Sequence, residues 1–316
     1  MRIRIRVAAA ALALPALLAF QAPVRQSTLF DSAQLLEDLR VLSADDMRGR
    51  QAGTAGGEKA RAYVVERFKA SGVQPFGESY VHPFTFTSGR GDAAAERNAA
   101  NVIGFVPGTA NAGRYIVVTA HYDHVGVRNG VVFNGADDNA SGTAALFALA
   151  SHFTKTRPAN SLLFAALDAE ESGMRGARAF LAKPPVDPAT LVLNVNMDML
   201  GRDPDDKLFV VGTHQQPFLR PYIETIAASA PVKLIPGHDN PAEKGVEDWT
   251  RSSDHAAFCQ AKIPCLYFGV EDFGNHHKAT DDYETMTHDF YVRAVETLVA
   301  AVKVFDAKLD EIAKAR

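Results

Sequence analysis

His121, Asp123, Asp137, Glu170, Glu171, Asp198 and His277 each fall at or just after a segment that reads as a buried strand or a turn. Imidazole and carboxylate are the side chains that hold zinc-like ions and move protons in hydrolysis. The runs leading into them, Tyr115-Ile-Val-Val-Thr-Ala120, Leu162-Leu-Phe-Ala-Ala-Leu167 and Leu191-Val-Leu-Asn-Val195, are short, apolar and partly β-branched. That is the pattern of strands buried on both faces. In open α/β sheets the carboxyl ends of parallel strands form the crevice where ligands bind, and all three runs lead into His, Asp or Glu.

Gathering Asp123, Asp137, Asp138, Glu170, Glu171 and Asp198 in one crevice is strongly unfavourable unless cations offset the repulsion. Two imidazoles with several carboxylates suit zinc better than calcium, which takes oxygen alone. In His121-Tyr-Asp123 the two polar side chains are two residues apart and share a side, so Asp123 can hold the second ring nitrogen of a metal-bound His121. His124 has no comparable support. Adjacent Glu170 and Glu171 would point oppositely in a strand, so the pair must sit on a turn, which Ser172 and Gly173 permit. An acid ahead of a helix is usually an N-cap, and Asp138 is read that way, outside the ligand set.

Ala120-His-Tyr-Asp-His124, Gly135-Ala-Asp-Asp-Asn-Ala-Ser-Gly142, Leu167-Asp-Ala-Glu-Glu-Ser-Gly173, Asn196-Met-Asp198 and His277-Lys-Ala-Thr-Asp-Asp282 occur in that order. Together they resemble the successive motifs of the di-zinc aminopeptidases, family 28 of the metallopeptidases. The resemblance runs from about Leu36 to Val304, and its weight comes from five motifs in sequence rather than from any one. It implies a three-layer α/β/α sandwich with a central mixed, mostly parallel sheet, and two zinc ions. Asp137 would bridge both ions, His121 and Asp198 would complete one position, and Glu171 and His277 the other. Glu170 would be the general base and Asp123 its catalytic companion. The resemblance also selects His277 over His276, implies a cis peptide between Asp137 and Asp138, and gives Ser252-Ser-Asp-His255 a role either at the substrate pocket or in steadying the fold.

The activity so implied is release of N-terminal residues from peptides, with Met199, Phe268 and Phe273 as apolar pocket lining. Carboxypeptidases and dipeptidases share the metal set. A single-zinc glutaminyl cyclase and a non-catalytic scaffold are readings from other classes, and a complete set of five ligands argues against both.

With 316 residues and 47% of them hydrophobic, the chain can bury one large core. A net charge of −4 with scattered Lys and Arg leaves no basic stripe for nucleic acid or an anionic membrane, so the expected partner is a peptide substrate. Met1-Arg-Ile-Arg-Ile-Arg6 followed by the apolar run from Val7 to Phe20 matches a secretory signal. The expected layout is a signal peptide over 1–22 and a single catalytic domain over 23–316, exported to the periplasm or secreted. Cys259 and Cys265, the only cysteines, could there form a disulfide or stay as buried thiols.

Apolar spacing predicts helices over 33–42, 58–70, 143–153, 172–181, 216–230 and 287–313. Strands are expected over 101–106, 114–120 and 263–270 besides the buried runs. Residues 50–57 read as a flexible loop, and 73–87 as loop or edge strand.

Overall fold

A computed structural model describes residues 25–89 and 94–316; the expected signal segment, 1–22, lies outside them. In chain order the elements are α1 (Ser32–Leu42), α2 (Ala55–Ser71), β1 (Gln74–Pro75), β2 (Val81–Ser88), β3 (Ala95–Val106), β4 (Asn111–His121), β5 (Gly126–Arg128) and β6 (Val131–Phe133). There follow α3 (Gly142–Thr156), β7 (Asn160–Leu167), α4 (Arg175–Ala182), β8 (Leu191–Met197), β9 (Lys207–Val211) and α5 (Arg220–Ala227). The chain closes with β10 (Lys233–Pro236), α6 (His255–Gln260), β11 (Cys265–Gly269) and α7 (His288–Ala315).

The apolar runs occupy the centre of a nine-stranded sheet, where β7, β4, β8 and β11 lie side by side and parallel. Antiparallel β3 joins at one side and antiparallel β9 at the other, with β2 and β1 on β3 and β10 on β9. Alternation along each central strand serves two cores. Ile116, Val118, Leu162, Phe164, Ala166, Leu193 and Val195 face the larger one, packed with α1, α2, α3, α5 and α7. Val117, Leu163, Ala165, Leu167 and Leu191 face the smaller one under α4 and α6. The result is the expected α/β/α sandwich. Cys259 and Cys265 are paired as a disulfide across the turn from α6 to β11.

Three local expectations change. Residues 50–57 are not a loose loop, because α2 starts at Ala55, where Thr54 Oγ1 caps it by accepting from the Gly57 N–H. Gly56 and Gly57 are there for close packing: a Cβ at either would sit 2.5 Å from the carbonyl oxygen of Met47 or Gln51. Strands β9 and β10 were not foreseen, since at five and four residues they carry too little pattern. The helix expected over 216–230 is shorter, a single turn at Pro217–Leu219 running into α5. Among the described residues no helix is long and apolar enough to cross a membrane.

Candidate metal centre and active site

His121 is the last residue of β4, Asp198 follows β8, and Glu170 and Glu171 lie on the turn leaving β7, so three parallel strands deliver their polar residues to one edge. His277 arrives on the loop after β11, and the turn before α3 supplies an aspartate. That aspartate is Asp138, not Asp137. His121 Nε2 lies 3.2 Å from Asp198 Oδ1 and 3.4 Å from Asp138 Oδ1. His277 Nε2 lies 2.7 Å from Glu171 Oε2 and 3.3 Å from Asp138 Oδ2. Asp138 thus gives one oxygen to each of two groups, His121/Asp138/Asp198 and His124/Asp138/Glu171/His277.

The bridging position assigned to Asp137 is therefore corrected. Its carboxylate turns inward to accept from the Gly201 N–H at 2.7 Å and the Ser141 hydroxyl at 3.4 Å. The cause is Asp281, whose carboxylate accepts from the backbone N–H groups of both Asp137 and Asp138 and fixes which of the two faces the crevice. The cis peptide likewise follows Asp138, joining it to Asn139, one bond later than expected. Nor is Asp138 a helix cap: the Asn139 amide oxygen does that work, accepting from the Gly142 N–H.

The two glutamates sit on a tight turn in which the Glu170 carbonyl accepts from the Gly173 and Met174 N–H groups. Ala169 has a φ of 58°, which lets consecutive side chains enter the same crevice. Asp123 ties this turn to β4, accepting from the Glu170 N–H at 2.9 Å while standing 3.6 Å from His121 Nδ1. His276, exposed on the same loop as His277, approaches Asp138 only to 3.5 Å and belongs to neither group.

Arg50 clamps the site from beneath, a residue that its sequence context does not mark. Fully buried, it donates to the carbonyls of Tyr122, Leu42, Asn134 and Gly135 at 2.5–2.9 Å. Burial pushes its guanidinium down to about 10, against the pull of Asp138, Asp281, Asp123 and Glu171. It is a fixed positive charge behind a carboxylate cluster.

Burial pushes Glu170 well above the usual carboxylate range, opposed by His121 and reinforced by Asp254 and Asp198. Asp138 and Glu171 go the other way: burial is outweighed by His124 and His277, which hold both carboxyls below their ordinary values. In return Asp138 and Glu171 lift His277 to about 10. His121 is likewise raised despite its burial, by Asp198 and Asp123. Protons on His277 and His121 offset carboxylate charge that an ion would otherwise neutralise. A metal fits the donors present, because Asp138 Oδ2, Glu171 Oε1 and both ring nitrogens of His124 are buried without a hydrogen-bond partner.

The groups open into a cleft of about 320 Å³ whose lining includes Glu170, Met199, Trp249, Tyr267 and Val270, with Glu247 and Asp272 also bordering it. Of the apolar residues expected there only Met199 is present. Phe268 is fully buried in the larger core, and Phe273 is exposed outside the cleft. Ser252 reaches the cleft, whereas Asp254 and His255 are buried outside its lining, His255 bordering a larger cavity instead. A larger cavity of about 760 Å³ between α4 and α6 holds Arg178, Arg251, Lys262 and Arg316 but none of the site carboxylates, so the chemistry belongs to the smaller cleft.

Comparison with known proteins puts this geometry in context. A probable zinc metalloprotease of Pyrenophora tritici-repentis is 25% identical over 266 residues, 71% of this chain and 53% of that one, so the chain spans about half its relative's length. The zinc aminopeptidase BSAP from Bacillus subtilis has a similar fold, with a TM-score of 0.70 at 17% identity over 89% of this chain and 96% of that one. A glutaminyl cyclase from Porphyromonas gingivalis matches as closely, with a TM-score of 0.69 at 18% identity over 87% and 99%. At such identities the likeness speaks for the fold alone. The sequence pattern that defines peptidase family M28 matches residues 101–302, well over half of the chain, and the chain belongs to that family.

Proposed function

We propose that this protein is an exported di-zinc peptidase that removes N-terminal residues from peptides. His121, Asp138 and Asp198 would hold one zinc, and Asp138, Glu171 and His277 the other. When bound, the zinc centre would supply a Lewis acid for the scissile carbonyl and a water made nucleophilic at neutral pH. Glu170 accepts that water's proton and returns it to the departing amine, work suited to a carboxyl whose proton affinity is raised by burial. Asp123 positions both partners, holding the Glu170 turn by its backbone and standing against His121 Nδ1.

The lining of the cleft carries the N-terminal preference. A substrate's free carboxylate is best met by a cation, yet among the described residues no Lys or Arg borders the cleft. Glu247 and Asp272 border it instead and attract a terminal ammonium, while Trp249, Tyr267, Met199 and Val270 form an apolar wall for the first side chain. A cyclase reading draws on fold likeness alone, and the donors of the His121 group are surplus to a single-zinc centre. Export is supported by the charged and then apolar start of the chain and by the Cys259–Cys265 pair, which belongs in an oxidising compartment. The layout proposed is a signal over 1–22 and one catalytic domain over 23–316.

One leucyl peptide offered in free, N-acetylated and C-amidated forms, with and without a zinc chelator, tests this. Cleavage of the free and amidated forms only, abolished by chelation, is expected. Cleavage that needs a free carboxylate would make the protein a carboxypeptidase or dipeptidase, and no cleavage of any form would favour the cyclase or scaffold reading.

A further inference from the structure

The two groups that share Asp138 are not equivalent. One contains three side chains that could bind metal, His121, Asp138 and Asp198; the other contains four, because His124 joins Asp138, Glu171 and His277. His124 Nδ1 lies 2.8 Å from Glu171 Oε1 and 3.5 Å from Asp138 Oδ2. The ring is fully buried, and neither nitrogen has a hydrogen-bond partner, so the close approach to Glu171 lacks the alignment of an N–H donation. Its place is fixed from behind by Gly135 at a φ of 57°, where a Cβ would lie 2.5 Å from the imidazole. From the front it meets the His277 ring, 5.7 Å between centroids.

A buried histidine with two idle nitrogens costs free energy unless something takes its lone pair. We infer that His124 Nδ1 is a fourth protein ligand at the Asp138/Glu171/His277 position, closing that position with two nitrogens and two oxygens and leaving the open coordination site to the ion at His121, Asp138 and Asp198. Four protein donors make a closed, tightly held zinc; three leave room for water or substrate. The ion at the four-donor position is then the persistent one, and the ion at the three-donor position the one that exchanges. The inference rests on reading the site as a two-metal centre.

The test strips the full-length protein with chelator, reloads it with zinc or cobalt, and follows metal count, affinity at each position and the visible spectrum of the cobalt form. Wild-type protein should take up two ions with distinct affinities, the tighter one four-coordinate. His124→Gln should weaken the tighter position by more than about 100-fold, beyond what loss of an orienting partner costs, and should alter its cobalt bands. His124→Cys keeps a ligand at the same point and should add a sulfur-to-cobalt charge-transfer band. Unchanged affinity in His124→Gln, a smaller loss with unaltered cobalt bands, or no such band in His124→Cys would overturn the role of His124 and leave the two-metal reading intact. Wild-type protein that takes up no metal would overturn both.

Discussion

Asp137 and Asp138 are chemically identical neighbours whose carboxylates face opposite ways, so metal counting separates their roles. Asp138→Asn should lose most of both ions, because one side chain serves two groups. Asp137→Asn should keep them and lose stability instead, since its carboxylate accepts from Gly201 and Ser141 inside the fold. Two tightly bound ions in Asp138→Asn would end the bridging assignment. At Glu170, replacement by Gln removes the proton carrier and should lower kcat by about 10²–10⁴-fold with metal content unchanged. Retained turnover would remove Glu170 from the chemistry. His255 has a different part, packed against Tyr267 at 5.0 Å with no hydrogen-bond partner for either nitrogen. Burial holds its pKa down at about 4, below the usual 6.5. The unfolded chain therefore binds more protons between those values, and stability should fall as pH drops from 6.5 toward 4, by at most about 3 kcal/mol from this group. His255→Phe should flatten that part of the melting curve against pH; an unchanged slope would mean that other groups set it.

Between residue and molecule stand the turns, and Arg50 shows how one side chain holds several of them. Its guanidinium joins the end of α1, the turn after β4 and the segment that delivers Asp138, through the carbonyls of Leu42, Tyr122, Asn134 and Gly135. Arg50→Met should leave these carbonyls unpaired, cost at least about 3 kcal/mol in chemical denaturation and weaken metal uptake as well. Stability and metal affinity both near wild type would mean that the loops hold themselves. This is also where sequence reading reaches its limit. Strands β4, β7 and β8 were legible because burial on both faces forces an unbroken apolar run, and their polar ends followed from the sheet's geometry. The choice between Asp137 and Asp138 was not, because Asp281 makes it from more than 140 residues away. His124 escaped for the same reason, since its value depends on Glu171 and His277 arriving from other turns. Trp249, the only tryptophan, was a signal left unused: it stacks on His238 at 3.5 Å and walls the cleft.

For the molecule as a whole, folding and metal binding are linked through charge. The sheet collects Asp123, Asp138, Asp198, Glu170 and Glu171 at one edge, and without metal their repulsion is met by protons, most plainly on His277, lifted to about 10, and on His121. Zinc binds neutral imidazole, so at pH 7 to 8 each ion that enters must expel protons. Zinc affinity should then go on rising with pH beyond the ordinary histidine value of 6.5 and level off only near 10, because the proton that competes for His277 is held until then. Calorimetric titration of the metal-free protein in buffers of different ionisation enthalpy measures this directly: the observed heat should vary with the buffer, reporting at least one proton released. Zinc should also raise the melting temperature, since it binds the folded crevice and not the dispersed chain. Heat that does not depend on the buffer would mean that entry of the metal releases no proton, and the imidazoles would then be neutral and the carboxylates ionised before it arrives.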